Sequence, residues 1–297
     1  MNRGQALFVL AIILAAALAA GGVTSTSGTS SSSSGFSFFS FSKAPSRTYN
    51  SETESVDSKV ARIKTELEKN KAAAEASPLS GDITLTSGGT SSSKPEQEYV
   101  TISLNSRHVG KVLITGFKLE SAITGQGTTI GEGVELPFAG QLNEDYPIFL
   151  SPGDKAIIVT GRSPMGYSFR LNICTGYFAQ FQTYTPSLPR QCPTPRDEVD
   201  RYLGRVTDAC YDYLGGISTC TMPLQNIPLA YVDSECRNFA TEKLNYKTCA
   251  ETHKNDPTFY KKEWRIFLGR SEKLWKARRE TIKLYDLNGK TVSTLTY

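Results

Sequence analysis

Hydrophobic positions change their spacing several times along this chain, and each change marks a different predicted element. Residues 6–23 form an unbroken apolar run, and residues 24–51 consist mostly of Ser, Thr and Gly. The first segment is typical of a membrane-inserting helix, whereas the second predicts a flexible linker that supplies no core. From Gly81 onward, apolar and polar residues alternate in short stretches, which indicates β-strands.

Between the linker and the strands, residues 52–76 predict a short helix or stalk. Val56, Val60, Ile63 and Leu67 recur at i, i+4, i+7 and i+11, so they would form a narrow apolar seam along one face. The seam is shorter than three heptads. Loose docking of this helix on its own domain and a short coiled coil therefore both stay open.

Short alternating segments separated by turn residues predict the strands of a β-sandwich. These segments are 82–87, 99–105, 111–121, 146–150 and 155–160. Ser-Pro-Gly-Asp at 151–154 is a strong turn signal, and Gly116 indicates a bulge or a close backbone approach inside the third segment.

An ordered set of motifs carries a family resemblance. The set comprises EYV-x-I, ITGFKL, IFLSPGDKAIIVTG and the closing positions Ile282, Leu284, Asp286, Gly289, Val292 and Tyr297. It resembles the lamin-tail domain, an immunoglobulin-like β-sandwich, with Phe117 where family members carry Trp. The segment SPMGYSFR at 163–170 is similar to lamin-tail proteins of ultrasmall, reduced-genome bacteria. The resemblance implies that the final hairpin completes the sandwich and that the cysteine region is an insertion within it.

The fold class expected is mainly β with an α insertion, namely a lamin-tail or immunoglobulin-like β-sandwich interrupted by a disulfide-stapled helical module and preceded by an N-terminal membrane helix. The predicted parts are a signal-anchor or signal peptide at 1–23, a Ser-rich linker at 24–51, a short helix or stalk at 52–76, the first part of the sandwich at 78–172, a Cys-rich helical insertion at 173–256, and the closing strands and hairpin at 257–297.

The cysteines are confined to one part of the chain. They are Cys174, Cys192, Cys210, Cys220, Cys236 and Cys249. No C-x-x-C occurs and only His108 and His253 offer imidazoles, so disulfides are favoured over zinc. Helices are predicted at 197–214 and 233–244. An antiparallel pair would set the end of the first beside the start of the second, which predicts a Cys210–Cys236 bridge. Cys174–Cys192 and Cys220–Cys249 then follow by elimination.

Disulfides and the apolar run together predict an extracytoplasmic protein, either anchored to the cell membrane through residues 6–23 or secreted. The run lies near the lower limit of about 20 residues for a spanning helix and exceeds the usual apolar region of a cleaved signal. Cleavage near Ala17–Ala20 stays open. Arg3 precedes the run, which predicts the long C-terminal part on the outer side.

The formal net charge is only +4, which gives no ground for a nucleic-acid partner. The basic excess is local, because residues 259–290 contain ten Lys or Arg and four Asp or Glu. It is either a solvated face or a contact surface for an anionic cell-wall polymer or another surface protein. The candidate contacts are Lys261, Lys262, Arg265, Arg270, Lys273, Lys276, Arg278 and Arg279.

A strand at 264–270 and a short helix starting at Ser271 are predicted within this basic segment. Trp264, Phe267 and Trp275 are expected to pack the insertion against the sandwich, with an aromatic ligand-binding shelf as the alternative.

No catalytic, cofactor-binding or metal-binding motif is evident. There is no G-x-S-x-G, no Walker loop and no G-x-G-x-x-G after a strand, and the glycine-rich stretch 125–131 does not match a phosphate loop. The sequence therefore predicts a non-enzymatic binding or structural role at the cell surface, without a cofactor. The alternatives are an extracellular hydrolase with its site in the Cys-rich module, or a self-associating subunit of a surface layer or filament.

Overall fold

The structure is a computed structural model that describes residues 56–138, 143–223 and 232–297. The predicted signal segment 1–23, the linker 24–51 and the first residues of the 52–76 helix lie outside the described residues. Within the described ranges, no helix combines the length and the apolar character needed to cross a bilayer.

Helix α1, Val56–Glu75, is the helix predicted at 52–76, and none of its residues is buried. Its Ala-rich end favours helix. Ala76 then forms a bridge with Thr291, and the Ser77 amide donates to the Thr291 carbonyl at 2.8 Å. The chain is thus fixed to the sheets just after α1, while the helix itself does not dock on them.

Eleven strands are described in these ranges. They are β1 Ile83–Ser87, β2 Tyr99–Leu104, β3 Val112–Leu113, β4 Lys118–Ser121, β5 Gly127–Thr129, β6 Phe149–Leu150, β7 Lys155–Val159, β8 Phe169–Asn172, β9 Tyr260–Phe267, β10 Thr281–Tyr285 and β11 Thr291–Thr296. One sheet has the order β1-β2-β7-β9-β8, a second has the order β11-β10-β4-β5, and β3 pairs with β6. β7 and β9 are parallel, and the other pairs are antiparallel.

The two larger sheets share one hydrophobic core, hereafter the sheet core. Ile102, Ile158 and Ile266 enter it from the first sheet, and Leu119 and Leu284 enter it from the second. This arrangement is consistent with a β-sandwich.

The cysteine-rich module, residues 173–256, leaves the first sheet after β8 and returns to it at β9. β8 and β9 pair with each other, and Asn172 and Tyr260 are register partners. The module therefore begins and ends at adjacent points of one sheet. The final hairpin, β10–β11, pairs with β4 in the second sheet, so the closing strands join those that precede the module.

Gly116 divides the single strand predicted at 111–121 into β3 and β4. Its φ is +88°, and a Cβ added there would lie 2.6 Å from the Leu287 Cδ2 atom. The positive φ ends the strand, and the atom approached is the end of the exposed Leu287 side chain, not the backbone approach that the sequence suggested.

The helices of the module are α2 Pro195–Tyr202, α3 Asp208–Gly215, α4 Ser234–Glu242 and α5 Tyr246–His253, with a 3₁₀ helix at Thr175–Gln180. The single helix predicted at 197–214 is wrong. Gly204 adopts a φ of +66°, which breaks the helix, and Thr207 caps a new one by accepting from the Cys210 amide. The second helix is confirmed with Asp233 as its cap, and α5 was not predicted.

The structure contains three disulfides and leaves no cysteine free. Cys210–Cys236 is present as predicted, but it joins the first turns of α3 and α4, whose caps Thr207 and Asp233 are hydrogen-bonded to each other. The predicted Cys174–Cys192 and Cys220–Cys249 bridges are wrong. The pairs are Cys174–Cys249 and Cys192–Cys220, because α5 carries Cys249 to the start of the 3₁₀ helix.

The short helix predicted from Ser271 is also wrong. Residues 271–280 form bends, and the amides of Leu274 and Trp275 donate to the buried carboxylate of Glu98 instead of to helical carbonyls. The predicted strand at 264–270 is present as the second half of β9, ending at Phe267.

Candidate functional site

An aromatic cleft of about 240 Å³ opens on the cysteine-rich module. Its walls come from the 3₁₀ helix and the residue after it, the start of α5 and the residue before it, and two loop residues. They are Phe138, Tyr177, Phe178, Phe181, Met222, Asn245, Tyr246 and Lys247. Six of these eight side chains are aromatic or apolar, so the cleft offers a predominantly apolar surface with polar groups at one rim.

The floor of the cleft is a set of interlocking rings. Phe178 and Tyr246 have ring centroids 4.3 Å apart, and Phe178 packs edge-on against Phe169 at 5.8 Å. Phe169 is fully buried and also contacts Tyr184 edge-on. Aromatic side chains locked in this way lose little further freedom when a ligand binds, which favours recognition.

A buried hydrogen bond orients Tyr246. The Asn172 side-chain amide nitrogen donates to the Tyr246 hydroxyl at 3.2 Å, and the Asn172 side-chain oxygen Oδ1 accepts from the Cys174 backbone amide at 2.9 Å. Burial raises the pKa of the Tyr246 phenol, and the bond from Asn172 acts in the opposite direction. The phenol is therefore a neutral, fixed group at neutral pH.

Two sets of interactions fix the cleft wall at Met222. Gln180 forms a pair of hydrogen bonds with the Met222 backbone, donating to its carbonyl and accepting from its amide, each at 2.8 Å. The Cys192–Cys220 disulfide anchors the preceding residues. It passes so close to Gly176 that an added Cβ would lie 2.3 Å from the Cys220 Sγ atom. The 3₁₀ helix thus requires glycine at this position.

Phe181 and Lys247 form the accessible rim of the cleft. Phe181 is 56% exposed, which is unusual for a ring of its size, while Tyr246 below it is only 7% exposed. The Lys247 ammonium lies 4.0 Å from Glu251 and stays largely in solvent. Asn245 is committed internally, since its side chain caps α5 and donates to the Glu242 carbonyl. A ligand would therefore meet an apolar surface beside the solvent-exposed positive charge of Lys247.

His253 lies in the same module but does not line the aromatic cleft. It is 5% exposed, with Nε2 2.9 Å from the Glu198 carboxylate and Nδ1 2.7 Å from the Asp256 carboxylate. Glu198 is itself buried on α2. Nε2 thus ties α5 to α2, and Nδ1 is bonded to a residue just past the end of α5. The other histidine, His108, bonds Asp82 at 2.9 Å in a loop beside β1.

The predicted basic contact surface is only partly a surface. The prediction that Arg265 is a surface contact is wrong. Its side chain is 2% exposed, and its guanidinium bonds Glu263 and the carbonyls of Pro186 and Ser187. Lys273 lies 3.5 Å from the buried Glu98 carboxylate. Lys261 and Arg270 are half-buried. The exposed members are Lys262, Lys276, Arg278 and Arg279.

The aromatic residues predicted at the junction divide between two clusters. Trp264 and Trp275 are buried in the sheet core, whereas Phe267 packs against the cluster around Phe169 that supports the cleft. The alternative of an aromatic shelf formed by these residues is wrong, since both tryptophans are at most 5% exposed. Phe181, at the rim of the aromatic cleft, is an exposed aromatic side chain instead.

A second cavity, of about 410 Å³, differs in character. Polar side chains dominate its walls, among them Glu132, Asp145, Arg162 and Ser163. The two acids and Arg162 are exposed, so no desolvated charge is aimed into the cavity. It is consequently a weaker candidate for specific binding than the aromatic cleft.

Within residues 56–138, 143–223 and 232–297, no group of three or more His, Cys, Asp or Glu side chains is arranged to hold a metal ion. Comparison with known proteins gives no match to a family model, to a curated protein or to a solved structure.

Proposed function

We propose that this chain is an extracytoplasmic binding protein that captures a bulky apolar group of its partner in the aromatic cleft. The observation that carries the proposal is the combination of a locked aromatic floor with a 56% exposed Phe181 at the rim. Accessible apolar surface beside a rigid concave wall is the usual form of a recognition site.

The three disulfides support an oxidising location outside the cytoplasm. In this proposal the apolar run 6–23 tethers the chain to the membrane or directs its secretion. The two sheets serve as a lamin-tail-like, immunoglobulin-like scaffold, and the cysteine-rich module is the recognition element mounted on it. Such scaffolds commonly place binding residues on their inserted segments.

The chemistry of the cleft favours a polypeptide partner, that is, another surface protein. Sugar recognition needs several hydrogen-bonding groups around the ligand. Here Asn245 and the Tyr246 hydroxyl are internally bonded and Tyr177 is buried, so Lys247 is the exposed polar side chain among the lining residues. An aromatic or large aliphatic side chain fits a volume of about 240 Å³. Lys247 adds a preference for a carboxylate next to that side chain.

A hydrolase in the same module is less well supported by the geometry. His253 is the histidine available there, and its ring nitrogens already face Glu198 and Asp256. A general base must reach the proton that it removes. A side chain enclosed between two carboxylates serves better as a link between helices.

The test measures binding of N-acetyl-L-tryptophan to the oxidised full chain by ligand-observed NMR, with N-acetyl-L-tryptophanamide as the uncharged match. We expect saturable binding that F181A weakens about tenfold. K247A should weaken binding of the carboxylate but not of the amide. The matched control is F149A, because Phe149 on β6 is 45% exposed and does not line the cleft. Equal losses in F181A and F149A would refute the cleft as the binding site.

A further inference from the structure

Helix α1 presents an apolar seam that nothing in the described residues covers. Val56, Val60, Ile63 and Leu67 are 75%, 57%, 62% and 67% exposed, and no residue of the helix is buried. Aligned apolar side chains that stay in solvent mark an interaction surface. The seam plays no part in the aromatic cleft, so its role goes beyond the function proposed above.

The spacing of the seam specifies a helical partner. Val60 and Leu67 occupy a positions of a heptad, and Val56 and Ile63 occupy d positions. Two such helices bury each other's seam by knobs-into-holes packing. Four layers provide limited apolar contact, so the charges beside the seam decide both the partner and its direction.

We propose that α1 pairs with α1 of a second copy of this chain, in antiparallel orientation. Antiparallel packing sets Val60 against Ile63 of the second copy and Val56 against Leu67 of the second copy, so all four layers are filled. Two identical helices related by a two-fold axis form a closed, isologous contact.

Charge complementarity carries the choice of partner. In the antiparallel pair, Lys59 faces Glu66 of the second copy on one side of the seam, and Asp57 faces Lys64 of the second copy on the other. The two-fold axis repeats each contact, so every flanking pair is of opposite sign. In a parallel pair, Lys59 would instead face Lys64 of the second copy, which is repulsive.

The geometry next to α1 leaves the helix available for this contact. Ser77 is bonded to Thr291 and buried, so the chain is fixed at the sheets immediately after the helix. Changes on α1 should consequently alter association without altering the fold.

The experiment is sedimentation velocity of the full chain in mild detergent over a concentration series. We expect a concentration-dependent dimer that K59E and E66K each weaken about tenfold, and that the double variant K59E/E66K restores. The matched control is K69E, which makes the same charge change on the outward face of the helix and should leave association unchanged. I63D should abolish the dimer.

Two results would overturn the proposal. A strict monomer at every concentration would remove the interface, and strengthening by K59E would indicate parallel pairing. Association through the apolar run 6–23 would not depend on the charges of Lys59 and Glu66. Restoration of the dimer by K59E/E66K therefore distinguishes the α1 contact from association through that run. Thermal unfolding of each variant reports its fold. Binding of N-acetyl-L-tryptophan should survive I63D, and dimerisation should survive F181A, so the two proposals fail independently.

Discussion

The carboxylate of Glu98 accepts a hydrogen bond from the backbone amide of Leu274 at 2.7 Å, although 176 positions separate the two residues in the chain. Glu98 is fully buried, and it also accepts from the Trp275 amide at 3.3 Å. The contact joins the start of β2 to the segment that follows the cysteine-rich module. It places Leu274 and Trp275 in the sheet core without any regular secondary structure around them.

Replacing Glu98 with Ala should destabilise the protein by about 3 kcal/mol, because two buried amides lose their acceptor. The measurement is the free energy of unfolding in denaturant. E96A is the matched control, since Glu96 is an exposed acid two residues away, and its change should stay within about 0.5 kcal/mol. Equal effects of the two substitutions would show that the Glu98 bonds contribute nothing to stability.

Local alternation was sufficient to predict several strands. β1, β2 and β7 begin within one residue of their expected starts, because each has one face in the sheet core and a turn before the next strand. The local spacing of hydrophobic residues does not predict contacts between segments that are distant in the chain. The parallel pairing of β7 with β9 and the bonds from Glu98 belong to this class.

The candidate site was missed for the same reason. Phe178 and Phe181 lie in one short segment and Tyr246 lies in another, and neither segment has a periodic pattern. The Cys174–Cys249 disulfide joins the start of the 3₁₀ helix to α5, whereas Cys174–Cys192 and Cys220–Cys249 were the pairings predicted from the sequence. Arg265 shows the converse error, because a basic run predicts a surface residue, whereas this side chain is buried and its guanidinium bonds the carbonyls of Pro186 and Ser187.

Removing the Cys174–Cys249 disulfide should weaken both stability and the cleft. The bridge spans 75 residues, and closing a loop of that length in the unfolded chain is worth about 4.5 kcal/mol, against about 3.5 kcal/mol for the 26 residues of Cys210–Cys236. C174A/C249A should therefore unfold at lower denaturant and also lose affinity for N-acetyl-L-tryptophan. C210A/C236A is the matched control, because it lowers stability and leaves the cleft walls joined. Retained affinity in C174A/C249A would contradict this assignment.

Replacing His253 with Ala should cost about 3 kcal/mol of unfolding free energy, because the buried carboxylate of Glu198 would lose its partner. The corresponding control is H108A. The partner of His108 is Asp82, whose side chain is 41% exposed, so water replaces the lost bond at a cost below about 1 kcal/mol. If H108A and H253A unfold at the same denaturant concentration, the link between α2 and α5 does not stabilise the module.

Stability of the module should fall in acid through Asp233. The Asp233 carboxylate accepts a hydrogen bond from the Cys236 amide at 2.8 Å and a further one from the Thr207 hydroxyl. These bonds, that from Cys236 first, hold the pKa of Asp233 below its ordinary value of 3.8. A carboxyl group with a lowered pKa binds its proton more readily in the unfolded chain. The contribution of the Asp233 carboxylate to stability is therefore complete at a pH above its ordinary pKa. That contribution is lost as the pH falls through the lowered pKa of the folded state.

Substituting D233N isolates this contribution, because asparagine is also a good helix cap but does not titrate. The unfolding free energies of wild type and D233N should differ most near pH 6 and converge towards pH 2, where the wild-type carboxyl is protonated. Because Asp233 is exposed, solvent screening keeps the difference small, so paired measurements at each pH are needed. A difference that stays constant from pH 6 to pH 2 would show that the cap acts through its shape and not through its charge.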